Sequence, residues 1–471
     1  MKKLFTTLLF LLSIITGYGQ TIAGNWYGAL NVSGSQLHIV FHIAKNGDVW
    51  SSTMDSPDQG AFGLATDKTQ VDGNQLSIEV SKFGLKYTAT YQADSNKITG
   101  TFAQGGGSFP LVLTTIPPTE KKVAPVKRPQ DPTSFSYRQE EVTFSNKKAG
   151  NTLAGTLTMP SGTKPSKVVI LISGSGPQNR NEEVAQFNHR PFLVWSDWLT
   201  RNGIAVLRYD DRGIGQSTGD FSKATSADFA DDAESAVSYL QSRPDMKGIS
   251  IGLMGHSEGG MIAPMVAARN KAIQFAVLLA APGIPITELM IQQSKDQMRL
   301  SGAPKNVIAQ SSATNAKLFA AMNRYQDIAL PAFKLKMDSV MYAQLSTMPK
   351  EALGGQSIED VVQRTARQMY APWFRYFIAY QPAINLQKLT CPVLALNGTL
   401  DMQVQGSTNL AGIKIALQKG GNKRYEVVPL TGLNHLFQQA TTGAVTEYAQ
   451  ISETVSPLAM NKVTRWIKQL K

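Results

Sequence analysis

The sequence predicts a chain in two parts: a small all-β domain, barrel or sandwich, then a larger α/β domain with a mostly parallel sheet. Two observations carry this. From Thr21 to about Ile116, short segments alternate apolar and polar residues between turn signals. After Tyr137, continuous apolar runs alternate with helical patterns as far as Lys471. A proline- and lysine-rich stretch, "PPTEKKVAPVKRPQDPT", separates the two and has little to bury. The expected boundaries are 21–116, a linker at 117–136, and 137–471. A chain of 471 residues, 42% hydrophobic and 17% charged, has ample material for two cores.

Residues 1–20 have a different character. Lys2 and Lys3 precede the apolar run Leu4 to Ile15, and small or polar residues follow through Gly19 and Gln20. This is the pattern of a signal peptide, so export to the periplasm or the medium is expected. A membrane anchor is the alternative, but the run is shorter than the roughly 18 residues a span requires. No later segment is long and apolar enough for stable membrane insertion; "FAVLLAAPGIPI" is broken by glycine and prolines. The lone Cys391 cannot form an internal disulfide. The net charge of +12 is scattered, without clustered basic residues or interleaved aromatics, so no nucleic acid is expected as a partner. The sequence leaves the oligomeric state open.

In the first domain, "LHIVFHI" places Leu37, Ile39, Phe41 and Ile43 on one face of a strand. "NQLSIEV", "KYTATYQ" and "SFPLVLTTI" are further strands, and Asn46-Gly47 and Asp72-Gly73-Asn74 mark turns. His38 and His42 share the polar face. With no third ligand evident, they are expected to be surface histidines rather than a metal pair.

In the second domain, "KVVILIS", "IAVLRYD", "SIGLMG", "FAVLLA" and "VLALNG" have the continuous apolar character of parallel strands. Helical faces lie between them, as with Phe229, Ala233, Ala236, Val237 and Leu240. From about 285 to 384 the alternation stops, and methionine- and glutamine-rich helical sequence takes its place. Such an insertion between two strands is expected to form a lid, with its methionines giving an adaptable apolar surface; ordinary surface helices are the alternative.

The chemistry concentrates at "GLMGHSEGG", where Ser257 stands between Gly255 and Gly259 directly after a strand. A glycine-rich turn could hold a serine for no chemical reason. A tight strand-to-helix turn would instead lift the hydroxyl above the sheet as a nucleophile. Serine attacks only when a base takes its proton, and His435, in the loop after "RYEVVPL", is the sole histidine beyond Ser257. Asp401 follows "VLALNG" at the sheet edge where ligand sites form, so it is the candidate carboxylate for His435. The oxyanion hole would use the backbone N–H of Glu258 and of Ser175, the latter in the loop "ISGSGPQNRNE". Gly174 and Gly176 are the neighbouring alternatives to Ser175. His256 is expected to be a packing residue pointing away, and the role of His189 stays open.

In this order, "LISGSGPQNRNE", "LRYDDRGIGQST", "GHSEGG", "LNGTLDMQV" and "GLNHLFQ" resemble the α/β-hydrolase superfamily. They are most similar to its bacterial exported esterases, related to the serine aminopeptidase and dienelactone hydrolase groups. The resemblance implies an α/β-hydrolase fold with an inserted helical lid, a Ser257–Asp401–His435 triad, and carboxylesterase activity on small acyl esters. It also implies that "RYDDRGIGQS" is a structural turn beside the site. Asn179 and Asn181 stand where family members often have aspartates, which puts a carried-over substrate role for that loop in doubt. No cofactor or metal is expected. One alternative is a serine aminopeptidase, with Glu182 and Glu183 holding a substrate amine. Another is a non-catalytic surface-binding protein using the β domain.

Overall fold

The computed structural model describes residues 22–32, 35–57, 61–81, 84–104, 107–117, 128–162, 164–347 and 357–471. The expected signal peptide and most of the expected linker, 118–127, lie outside the described residues. The chain divides into two units, Met1–Lys121 and Lys122–Lys471.

The first unit is one antiparallel sheet. Its strands are β1 (Gly24–Val32), β2 (Ser35–Asn46), β3 (Val49–Ser56), β4 (Ala61–Ala65), β5 (Lys68–Asp72), β6 (Gln75–Val80), β7 (Leu85–Gln92), β8 (Lys97–Gln104) and β9 (Gly107–Thr114). Their order is β4-β3-β2-β1-β9-β8-β7-β6-β5. The sheet curls so that its two ends meet: Ser52 Oγ on β3 lies 2.7 Å from Thr69 Oγ1 on β5. A single core of Trp26, Phe41, Tyr87 and Phe102 fills the inside, with Phe41 and Tyr87 stacked. Of the two expected forms, this is the barrel-like one. On the outer face, His42 is tied at Nδ1 to Asn25 (2.8 Å) and at Nε2 to Asp55 (2.9 Å). Among the described residues, no group of three or more His, Cys, Asp or Glu could hold a metal ion.

The second unit is built on eight strands: β10 (Arg138–Asn146), β11 (Asn151–Met159), β12 (Lys167–Ile172), β13 (Ala205–Tyr209), β14 (Ser250–His256), β15 (Ile273–Leu279), β16 (Val393–Gly398) and β17 (Tyr425–Leu430). They run in the order β10-β11-β13-β12-β14-β15-β16-β17. From β13 to β17 every pairing is parallel, while the β10–β11 hairpin joins antiparallel. Both faces of the parallel strands are buried, which is why the strands are continuously apolar. Val168, Ile170 and Ile172 face α2 (Ser226–Ser242), α3 (Glu258–Arg269) and α10 (Gly406–Lys419). Val169 and Leu171 face α1 (Pro191–Arg201) and α11 (Pro457–Gln469). Each fully buried aliphatic side chain contributes about 1.5–3 kcal/mol, so the two cores account for the layering. This is the α/β-hydrolase arrangement.

Between β15 and β16 stand the cap helices α4 (Ile286–Leu300), α5 (Lys305–Arg324), α6 (Leu330–Leu345), α7 (Ile358–Tyr370), α8 (Pro372–Ala379) and α9 (Ala383–Leu386). Their methionines divide between the adaptable apolar surface expected from the sequence, where Met290 lines the cavity that holds Ser257, and the interior of the cap. Met322, Met337, Met341 and Met369 are buried in the cap's own core, where an unbranched side chain fills irregular gaps between short helices.

The linker also ends earlier than its composition suggests. Arg128 is buried, donating to Phe187 O at 2.8 Å and to Tyr448 O at 3.3 Å, and Gln130 Nε2 donates to Val455 O at 2.7 Å. Residues from Arg128 onward therefore belong to the second unit. Two side chains, Arg128 and Gln130, bond to backbone carbonyls and anchor a segment that offers almost no apolar surface.

Candidate active site

Strand order reverses around β12, whose neighbours are β13 on one side and β14 on the other. Loops leaving β12 and β14 therefore meet at the carboxyl edge of the sheet, where a crevice forms. The β14 loop is a single residue. Ser257 has φ 52° and ψ −116°, left-handed for a residue with a side chain, and α3 begins at Glu258. Such a backbone costs about 1–3 kcal/mol and persists only where its surroundings hold it. Ser257 N–H donates to Leu279 O, and Ser257 O accepts from Gly260 N–H, both at 2.9 Å. The flanking glycines serve close approach: a Cβ on Gly255 would lie 1.9 Å from Gly259 O, and one on Gly259 would lie 2.0 Å from Ile172 O.

Asp401 follows β16 and is buried beneath His435. Its Oδ1 accepts the N–H groups of Gln403 and Val404, both at 2.8 Å, and its Oδ2 lies 2.8 Å from His435 Nδ1. With Oδ1 held by two amides, the carboxylate is pinned, and the proton on Nδ1 is set by what it faces. That leaves Nε2 of His435 as the ring nitrogen free to act as a base. His435 and Ser257 line the same cavity of about 280 Å³.

Glu258 N–H lies in the first turn of α3, where amides have no intrahelical partner. Among the described residues, the Ser175 N–H has no protein acceptor. The neighbouring Gly174 N–H is committed to Glu182 Oε1 at 2.6 Å, which removes it as the alternative donor. The loop sits close over Ser257: a Cβ on Gly174 would be 3.2 Å from Ser257 Cβ. The Glu258 carboxyl points into the protein and accepts from Ser226 Oγ (2.6 Å) and from Trp373 Nε1 of α8 (2.8 Å). Burial raises its pKa above the usual carboxylate range.

His256 departs from its expected packing role. Its ring lies between Glu182 Oε1, 2.9 Å from Nδ1, and His435 O, 3.0 Å from Nε2. It also lines the cavity beside His435, with ring centroids 4.8 Å apart. Burial works against its charged form, but the Glu182 carboxylate and the acceptor bonds hold its pKa above the ordinary value. Only the fold brings the loop after β12 against the loop after β17, so nothing in the local sequence announces this pair.

The second acid, Glu183, accepts from Asn179 Nδ2 at 2.9 Å and has Arg190 at 3.9 Å. Both carboxylates suggested for an amine anchor thus already hold partners. Arg180 pairs with Asp210 (2.7 Å), and Arg212 with Asp232 (2.6 Å), so "RYDDRGIGQS" serves as scaffold for the loop after β12. Asp211 in that turn accepts from Ser173 Oγ and Gln178 N–H, both at 2.9 Å, and burial pushes its pKa up to about 8. His189 Nε2 donates to Thr454 O at 3.0 Å, and the residue is outside the cavity lining.

The cap closes the cavity with Leu289, Met290, Trp373, Phe374 and Phe377. A groove of about 440 Å³ within the cap shares Met290, Gln293, Gln368 and Phe374 with it. A larger cavity of about 1060 Å³ lies along α10 and β17 and contains neither Ser257 nor His435.

Sheet order, strained elbow and cap together give the second unit the α/β-hydrolase fold. Residues 164–334 match the family model described as serine aminopeptidase, S33. Among curated proteins, the chain is similar to esterase EstD of Thermotoga maritima, 22% identical over 446 residues that cover 94% of this chain and 92% of that protein. Solved structures it resembles include an esterase of Pyrococcus furiosus, at 16% identity and a TM-score of 0.42, covering 73% of this chain and 97% of that one. Another is Est1E of Butyrivibrio proteoclasticus with ferulic acid bound, at 17% identity and a TM-score of 0.40, covering 70% and 98%.

Proposed function

We propose that the protein is an esterase that cleaves small carboxylic esters through Ser257, His435 and Asp401. The observation that carries this reading is the Asp401–His435 bond of 2.8 Å beside a serine held at φ 52° in one shared cavity. In the first step Ser257 Oγ bonds to the ester carbonyl carbon as His435 Nε2 takes its proton. Charge moves onto the carbonyl oxygen, which the N–H groups of Glu258 and Ser175 receive; each such donor is worth about 100- to 1000-fold in rate. His435 returns the proton to the leaving alkoxide, and an acyl-serine remains. Water, deprotonated by the same histidine, then releases the acid. Asp401 stabilises the His435 cation in both half-reactions without taking a proton itself.

The esterase name of the Thermotoga relative supports the ester substrate. The cavity supports it too: its cap side is mainly apolar, suited to an acyl or alkyl group of modest size. A peptidase would need a free carboxylate for the substrate amine, and Glu182 and Glu183 are both engaged. Hydrolysis of p-nitrophenyl acetate, butyrate and octanoate is the test; inactivity on all three would sink the reading.

We also retain export as part of the proposal, on the strength of Lys2, Lys3 and the Leu4 to Ile15 run. Protein recovered from outside the cytoplasm should begin near Gln20 or Thr21 on N-terminal sequencing; an intact Met1 there would count against it.

A further inference from the structure

We propose that His256 and Glu182 form a second histidine–carboxylate pair, holding one proton in common, that positions both the His435 loop and the loop facing Ser257. The proposal rests on the esterase reading only for its kinetic readout. Its basis is donor and acceptor chemistry. His435 O is a carbonyl and can only accept, so His256 Nε2 carries a proton toward it at 3.0 Å. Nδ1 faces Glu182 Oε1 at 2.9 Å, and that oxygen already accepts the Gly174 N–H at 2.6 Å. A bare nitrogen lone pair against a carboxylate that already accepts the Gly174 N–H would repel, so a second proton lies on Nδ1 and is donated to Glu182. The ring therefore carries two protons. The chain of bonds runs from Gly174 through Glu182 and His256 to the backbone of His435, linking the loops after β12, β14 and β17.

Glu182 itself has φ 50°, a strained backbone for a residue with a side chain, and is buried. The fold holds that strain at the one residue whose carboxylate reaches both Gly174 and His256. The other titratable groups around His256 are His435 and Asp401 on the loops after β17 and β16, and His189 ahead of α1. Asp211 lies close enough to feel the charges of both Glu182 and Glu258. His189 is pushed down to about 4 by burial and stays neutral in the working range. Of these groups only His256 sits between two obligate acceptors. When alkali removes the shared proton, its ring can donate to Glu182 or to His435 O, but not to both. One loop is then released while His435 remains a competent neutral base. His256 and Glu182 are therefore positioning residues, and their loss acts on turnover more than on binding.

The test is the pH profile of p-nitrophenyl butyrate hydrolysis by the full chain and by His256→Gln and Glu182→Gln. A glutamine at 256 cannot hold the shared proton. His256→Gln should lose on the order of 100-fold in kcat, the scale of a small misplacement, with KM within about threefold of wild type and no alkaline limb. Glu182→Gln removes the charge that favours the His256 cation, so its alkaline limb should move to lower pH. A His256→Gln enzyme with the wild-type alkaline limb would overturn the proposal. Should that variant fail to fold, imidazole ¹⁵N NMR of the five histidines decides. At a pH slightly above neutral, the ring assigned to His256 should carry protons on both nitrogens in the wild type and lose one in Glu182→Gln. A singly protonated His256 ring together with unshifted Glu182→Gln kinetics would refute the pair. A wild-type protein inert on esters would instead sink the esterase reading and leave the NMR result to stand alone.

Discussion

Asp401 divides its work between two oxygens, one pinned by the amides of Gln403 and Val404 and one facing His435. An asparagine there would keep the shape but could turn its NH2 toward His435 and favour the wrong tautomer. Asp401→Asn should therefore lower kcat by about 10,000-fold with little change in thermal stability. Steady-state kinetics beside a melting curve would show both. Asp211 supports a different expectation. Its folded pKa of about 8 exceeds its unfolded value, so the folded state keeps a proton that the unfolded chain gives up. The stability tied to this group is complete below the ordinary aspartate range and is lost as pH rises to about 8. Asp211→Asn should flatten the fall in Tm across that window; an unchanged slope would show that the Asp211 carboxyl does not set it. Ser257, His435 and Asp401 were legible as candidates because each follows a recognisable strand in the required order. Glu182 and His256 were not. Their meaning comes from a contact between residues 74 positions apart that no local pattern marks.

The elements carry the site through close approach. Gly259 lies against the carbonyl of Ile172, so Gly259→Ala would push α3 off β12 and misplace Ser257 together with the N–H of Glu258. That variant should lose both ester turnover and several degrees of Tm, unlike Asp401→Asn. The cap meets the elbow through Trp373 Nε1 and Glu258 Oε1. Trp373→Phe removes one donor from a buried carboxyl, at a cost of about 1–3 kcal/mol. Loosening α8 should raise KM for the octanoate ester more than for the acetate, because Trp373 and Phe374 wall the cavity on the cap side. Equal effects on both esters would mean that the cap does not select chain length. Most of the parallel strands, and helices α2 and α3, could be read from apolar runs and periodicity. The β10–β11 hairpin was not singled out, although Val142 and Phe144 alternate there. The cap's internal packing was illegible, since methionine composition does not say which face is buried.

At the scale of the whole molecule, the two units have separate cores, one around Trp26 and Phe41 and the others on either face of the parallel sheet. Arg128 and Gln130 tie the start of the second unit to its own backbone carbonyls. Residues 122–471 should then fold alone and hydrolyse p-nitrophenyl acetate within about threefold of the full chain, as expected of an independent domain. A fragment cut at 137 instead would lose the Arg128 and Gln130 anchors and should melt lower. The two-part organisation was plain in the sequence from the change of pattern near Ile116. The exact start of the second unit was not, because its anchoring uses polar side chains in a segment composed like a linker.

The central claim is that Ser257 is the nucleophile. Its most direct measurement is acyl-enzyme formation: mix the full chain with p-nitrophenyl acetate, quench in acid, and map the acetylated residue by peptide mass spectrometry. A burst of p-nitrophenol should appear, with the acetyl group on the peptide containing Ser257. Both should be lost in Ser257→Ala, whose turnover should fall by about a millionfold. A Ser257→Ala protein that turns over the ester at the wild-type rate, or an acetyl group found on another residue, would contradict it.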